Sequence, residues 1–239
     1  MAISAGFPSQ FSSESWRTKP FNERGKTLFH QLIDIILVIP ASLAHAGLVG
    51  PMDLMILKLS KSDNLPAGME RKYRQLLEQL ENWWETYQRS PAELAPEKLF
   101  KLSEPTLKYE EVEEVAQYSP TLFLHRDTVT AFNVSLYNAT SLILHTILRA
   151  IAIASERSTP RSDPSGDSKY HLKEAIAHSN SILHISAYHQ EKKPVGADFM
   201  RNMFPLKMVI LLSPPEQSEQ ARILAASLGP SQPGSRTPS

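Results

Sequence analysis

Eight histidines, 25 carboxylates and no cysteine set the limits on the chemistry this chain can carry. Without a thiol there is no disulfide, no thiolate nucleophile and no cysteine-ligated zinc. His171 and His178 stand seven residues apart, two helical turns, and would share a helix face, whereas His184 and His189 would not join them. Neither a His-x-x-x-His pair nor a His-Glu-x-x-His motif occurs, and no carboxylate is placed along the chain to complete a ligand set. The sequence therefore assigns no metal ligand, and the histidines read as ordinary surface or hydrogen-bonded side chains.

Other chemistry is equally sparse. The nine glycines are scattered, with no G-x-G-x-x-G loop, no Walker-type lysine loop and no G-x-S-x-G elbow. The triplet His125-Arg126-Asp127 resembles part of a kinase catalytic loop but stands without the glycine loop, the D-F-G motif or the lysine strand. The run Glu110-Glu111-Val112-Glu113-Glu114 reads as one solvated helix face, with an acidic-hydrophobic activation segment as the alternative that so short a run does not separate. Trp83-Trp84 fits the helical period of its surroundings and reads as a packing corner rather than a ligand platform. No catalytic, cofactor-binding or metal residue is named, and an enzymatic activity has no support in these motifs.

The elements that would position these side chains are helical. From Lys26 the apolar positions Leu28, Leu32, Ile35, Ile36 and Ile39 recur at three and four, and Pro40 is expected to stop that helix. Asp34 within the run would face solvent or cap a neighbour, and its charge together with the short length argues against a membrane span. Pro51 opens a short helix carrying Leu54, Ile56, Leu57 and Leu59. Residues 69 to 89 show the cleanest amphipathic pattern, with Met69, Tyr73, Leu76, Leu77, Leu80, Trp83, Trp84 and Tyr87 marking one face. Thr128 to Ser155 forms the longest helical pattern, uncharged from Thr128 to Leu148. Asn133, Ser135, Asn138, Thr140, Ser141 and His145 argue against a lipid environment and for a buried spine bonded to its neighbours. The sequons at Asn133 and Asn138 fall in this helix and read as chance.

Glu156 to Ser168 reads as a polar insertion, followed by a histidine-dotted helix ending at Tyr188-His189. Pro205 would kink or restart the next helix, and Ser213 with Glu216 reads as a capping box for the last one, which closes before Gly229-Pro230. The expected fold is all-α, a single irregular array of about eight helices. Residues 1–24 form a flexible lead-in with Phe7, Phe11 and Trp16 as docking points; 25–229 form the helical domain with insertion 156–168; 230–239 are a disordered tail.

Several of these stretches, taken in order, resemble a known family. Lys26-Thr27-Leu28, Leu32-Ile33-Asp34-Ile35-Ile36-Leu37 and Pro40 are followed by Ser181-Ile182, Tyr188-His189, Gly196, Phe204-Pro205-Leu206-Lys207, Ser218-Glu219 and Ala221-Arg222. Together they are similar to the C-terminal part of the fungal-specific transcription factor domain, the regulatory region of fungal zinc binuclear cluster activators. The match spans roughly residues 16 to 228, while the cysteine cluster that reads DNA in that family is missing.

The resemblance implies a regulatory protein without its own DNA-binding domain, acting through a protein partner such as a related activator or the transcription machinery, within a fungal secondary-metabolite gene cluster. It also implies regulation by dimerisation or by a small hydrophobic effector, and a nuclear location with the cytoplasm as the alternative. The chain would be either a piece of a longer activator or a stand-alone partner of one. Balanced charge, 25 basic against 25 acidic residues, agrees with the absence of direct nucleic-acid binding. The N-terminal residues lack the basic-then-apolar design of a secretory signal, which points to an intracellular, non-membrane protein. The alternative function is a small-molecule-binding protein or an enzyme acting on a hydrophobic metabolite. A cavity lined by Trp83, Trp84, Tyr137 and the histidines would favour it; the same rings packed on one another would count against it.

Overall fold

The apolar periods of the sequence become eight helices and no strand among the described residues of a computed structural model, which are 13–19, 25–90, 128–158, 166–191 and 197–228. The helices are α1 (Glu14–Thr18), α2 (Leu28–His45), α3 (Met52–Ser60), α4 (Met69–Arg89), α5 (Thr128–Ser158), α6 (Gly166–Glu191), α7 (Ala197–Leu212) and α8 (Pro215–Leu228). The fold is all-α, as the periods require. The acidic run, the His125-Arg126-Asp127 triplet, Gly196 and the C-terminal tail lie outside the described residues. Within the lead-in, residues 14–18 form the short α1, which buries no side chain and leaves Trp16 half exposed.

At the centre runs α5, 31 residues long, or roughly 46 Å at the helical rise. Ala139, Leu142, Ile143, Leu144 and Ile147 are all fully buried, so this helix is covered on more than one face. It packs along α6 most extensively and also meets α7, α3 and α4. Both flanking helices reach into the polar insertion, α5 to Ser158 and α6 from Gly166, so 159–165 is all of that stretch left outside the described helices. Asp167 in the first turn of α6 and Arg157 in the last turn of α5 each complement a helix dipole, which helps carry both helices past the expected boundaries.

The opening motif of the resemblance has a physical account. Thr27 caps α2 by accepting from the His30 amide at 3.3 Å. Lys26 bridges to Asp34 across two turns, so the aspartate in the apolar run neither faces solvent nor caps a neighbour but holds the lead-in against its own helix. Trp83 of α4 donates its indole N–H to the Leu28 carbonyl at 2.7 Å, fixing α4 across the start of α2.

Pro40 departs from expectation, and at Pro205 the helix does not restart. Pro40 does not stop α2; the helix runs on to His45 and buries Ser42 and Leu43. A proline there lacks the N–H that would bond to Ile36 four residues back, a cost of about 3 kcal/mol. Burying Leu43 offsets most of it, at roughly 1.5–3 kcal/mol for a side chain of that size. Pro205 likewise lies inside an unbroken α7, buried beside Phe204 and Leu206. At 18 residues α2 is therefore long and apolar enough to cross a bilayer, and the argument from length fails. The stretch 130–157 of α5 passes the same test but is mostly buried inside the array, as the core helix of a helical bundle is.

Three local readings shift. Pro51 is the N-cap of α3 rather than its first residue, and α3 buries Met52, Met55 and Leu59 while Leu54 and Leu57 stay about half exposed. The capping box at Ser213 does not form, because α8 begins at Pro215 and the Ser213 hydroxyl is taken by Ser179 of α6 at 2.6 Å. Some small polar residues of α5 bond within their own helix: Thr140 Oγ1 donates to the Leu136 carbonyl and Thr146 Oγ1 to that of Leu142, whereas Asn133 Oδ1 and Ser135 Oγ are buried without a partner among the described residues.

Pro40→Ala restores a donor to the Ile36 carbonyl while removing a buried ring. The expected net effect is a gain of about 1–2 kcal/mol in urea unfolding. An unchanged or lower midpoint would contradict the assignment of Pro40 as a strained residue held by packing.

Candidate functional site

The side chains richest in chemistry meet where α5 crosses α6. His145 of α5 is almost fully buried, and its Nδ1 lies 2.9 Å from Nδ1 of His171, also buried, on α6. Seven residues further along α6, the half-buried His178 stacks on His145 with ring centroids 5.6 Å apart. The pair His171 and His178 thus shares a face, as the spacing predicts, and the third ring comes from the spine helix.

Asn138 orients His178. Its Nδ2 donates to the Val134 carbonyl at 2.8 Å, which turns its Oδ1 toward His178 Nδ1 at 2.9 Å. An amide oxygen can only accept, so His178 carries its proton on Nδ1 and keeps the lone pair on Nε2. The sequon at Asn138 is therefore a buried hydrogen-bonding residue, and Asn133 is buried too.

A carboxylate joins the cluster. Glu174 precedes His178 by one helical turn, and one ligand atom each from His145, Glu174 and His178 lie within 4.8 Å of one another. This corrects the expectation that no carboxylate completes a ligand set. The local sign was Glu174-Ala175-Ile176-Ala177-His178, an i,i+4 pair on one face. His145, 29 residues upstream on another helix, leaves no spacing signature. Its one mark in the sequence is that it is the only imidazole in the uncharged stretch of α5.

Burial sets the charge state. His145 is pushed down to about 3, mainly by desolvation and further by the neighbouring His178 and His171. Burial alone takes His178 down to about 4. His171 is lowered first by burial and then by the Arg74 charge, against the pull of Asp167 and Glu70. All three rings are neutral at pH 7, the state in which an imidazole offers a lone pair. Across the crossing, Glu81 of α4 has its carboxyl raised by burial and by Glu78, Glu174 and Glu85, so negative charge gathers on the Glu174 side. Arg74 pairs with Glu70 at 2.8 Å and with Asp167 at 3.0 Å at the exposed end of the crossing.

Next to the histidines lies an aromatic stack. Trp83 stacks on Tyr87 at 4.8 Å, Trp84 on Tyr137 at 4.4 Å, and Tyr137 meets His178 edge-on at 5.9 Å. The rings fill the space between α4 and α5 by packing on one another, the arrangement of a core rather than of a metabolite cavity. Tyr137 is held un-ionised, its hydroxyl pushed up to about 12 by burial. Of the remaining imidazoles, His189 is buried edge-on to Tyr188, and His184 is lowered by burial; neither shares the ring contacts of the cluster.

In chelator-treated protein the cluster makes stability depend on pH in one direction. Above about 6.5, the unfolded value, folded and unfolded histidines are both neutral and stability is full. Below it the unfolded chain takes up protons that the folded rings refuse until about 3 to 4, so stability falls through that window. The raised carboxyl of Glu81 works the opposite way near the bottom of the window. Urea midpoints are expected to drop steadily between about pH 7 and pH 5, and a flat profile would contradict buried neutral imidazoles. Known proteins add nothing to this geometry: no family model, no curated protein and no solved structure matches the chain.

Proposed function

We propose that this chain is a transcription-factor-like regulatory module that acts through a protein partner, since its 239 residues hold no cysteine cluster to read DNA. The observation that carries the reading is how the residues of the resemblance are used. Ile182, His189, Phe204, Pro205, Leu206, Ser218 and Ala221 are buried where α6, α7 and α8 pack, and Ser218 Oγ donates to the Ile210 carbonyl at 2.9 Å. Arg222 pairs with Glu219 on the outer face of α8, and Lys26 with Asp34 on α2. A motif whose members build the core defines a scaffold, and recognition by such a scaffold falls to the side chains it leaves on the surface.

The partner is a related zinc-cluster activator, engaged through the face of α3 that the array leaves bare. Leu54 and Leu57 stand one turn apart and about half exposed, with Val49 exposed just before the helix. Apolar side chains repeating at i,i+3 on a solvent-facing helix are the usual anchors of helix-to-groove recognition. A nuclear location and a role in a secondary-metabolite gene cluster belong to the same reading.

Tagged protein recovered from its native cells is expected to bring down a zinc-cluster activator. The double variant Leu54→Glu/Leu57→Glu changes exposed positions, so it should fold normally and lose roughly tenfold or more of that partner. Equal recovery by the variant would remove α3 as the contact face. Recovery of a small hydrophobic metabolite without any protein would overturn the regulatory reading in favour of ligand binding.

A further inference from the structure

We propose that the crossing of α5 and α6 is a binding site for a divalent first-row transition ion, zinc fitting best, held by His145, Glu174 and His178. The inference stands on its own geometry and is independent of the regulatory reading. Three donors of the right chemistry, two imidazoles and one carboxylate, converge from two helices to within 4.8 Å of one another. Tetrahedral zinc with ligand bonds near 2.0–2.1 Å brings its donors about 3.4 Å apart, a closure within the reach of side-chain rotation.

The surroundings are arranged as a zinc site requires. A histidine that ligates through one nitrogen usually donates its other N–H to an oxygen or nitrogen acceptor, which fixes the ring. His178 does this through Nδ1 to Asn138 Oδ1, with Asn138 in turn fixed by the Val134 carbonyl. His145 Nδ1 lies 2.9 Å from His171 Nδ1, a contact in which either ring can donate. With His145 donating Nδ1–H to His171, Nε2 is the ligating atom of both His145 and His178, and His171 serves as a positioning residue rather than a ligand. Neutral rings need no deprotonation before they bind. A cation here would also offset the negative charge of Glu174 that helps raise the Glu81 carboxyl.

The chemistry of the donor set selects the ion. Calcium and magnesium prefer oxygen cages, and a thiophilic ion would lack sulfur, so a borderline ion is favoured. Three protein ligands leave a fourth position for water or for a donor brought by a partner. Because the ligands come from α5 and α6, the ion clips together the two most extensively packed helices of the fold.

The test uses the full chain, dialysed against chelator and then titrated with zinc and, for its visible absorption, with cobalt(II). One equivalent is expected to bind, with the d–d spectrum of four- or five-coordinate cobalt and a melting temperature raised by about 5–10 °C at a hundredfold excess over Kd. Glu174→Gln keeps the shape of a half-buried side chain and should retain the helical fold while weakening binding about a hundredfold. His178→Ala should do the same, whereas His184→Ala should leave affinity unchanged. No saturable uptake by the wild-type chain would overturn the proposal. So would uptake that Glu174→Gln leaves intact, since the ion would then sit elsewhere.

Discussion

Everything in this fold follows from burying α5 on more than one face. A helix that carries Asn, Ser, Thr and His among its apolar residues is enclosed at a cost for every polar group left without a partner. Thr140, Thr146 and Asn138 turn back to carbonyls of their own helix, which leaves the apolar side chains free to pack. Asn133 Oδ1 and Ser135 Oγ stay buried without a partner among the described residues, while two polar groups of α5 reach α6. Asn138 meets His178 and His145 meets His171, so the register of α6 along α5 is set by two hydrogen bonds as well as by Leu142, Ile143 and Ile147. Sliding α6 by one turn would leave buried imidazoles unpaired, a loss of about 1–3 kcal/mol for each group.

The other helices are arranged around that pair. The aromatic stack from Trp83 to Tyr137 joins α4 to α5, and the indole bond to Leu28 joins α4 to α2. On the opposite side Ser179 holds Ser213 at the bend between α7 and α8, where a capping interaction was expected. The two prolines show how far packing can override local preference. Pro40 is buried within a helix it would be expected to end and Pro205 within one it would be expected to kink or restart, because breaking the helices there would withdraw Leu43 or Met208 from the core.

The class of fold was legible in the sequence because helical periodicity is a local signal. Residues 69–89 and the α5 spine emerge at nearly the boundaries their patterns suggest. Boundaries that depend on tertiary burial were less legible: the run through Pro40, the extension of α5 to Ser158, and the start of α8 at Pro215. Asp34 was misjudged for the same reason, since its partner Lys26 is positioned only once Thr27 caps the helix. The site was half legible. His171 and His178 are correctly paired by spacing, and Glu174 sits on the same face for anyone counting turns. His145 was not, because nothing in a linear pattern brings residue 145 against residue 171 until two helices pack antiparallel or crossed.

The most direct test of this account is the protonation state of the histidine rings, read from long-range nitrogen–proton correlations of the metal-free chain at neutral pH. The seam described here requires His178 to be neutral with its proton on Nδ1, as Asn138 dictates, and His145 to be neutral as well. Finding His178 protonated on both nitrogens, or carrying its proton on Nε2, would contradict the hydrogen-bonded crossing on which both the packing of α6 and the metal site depend.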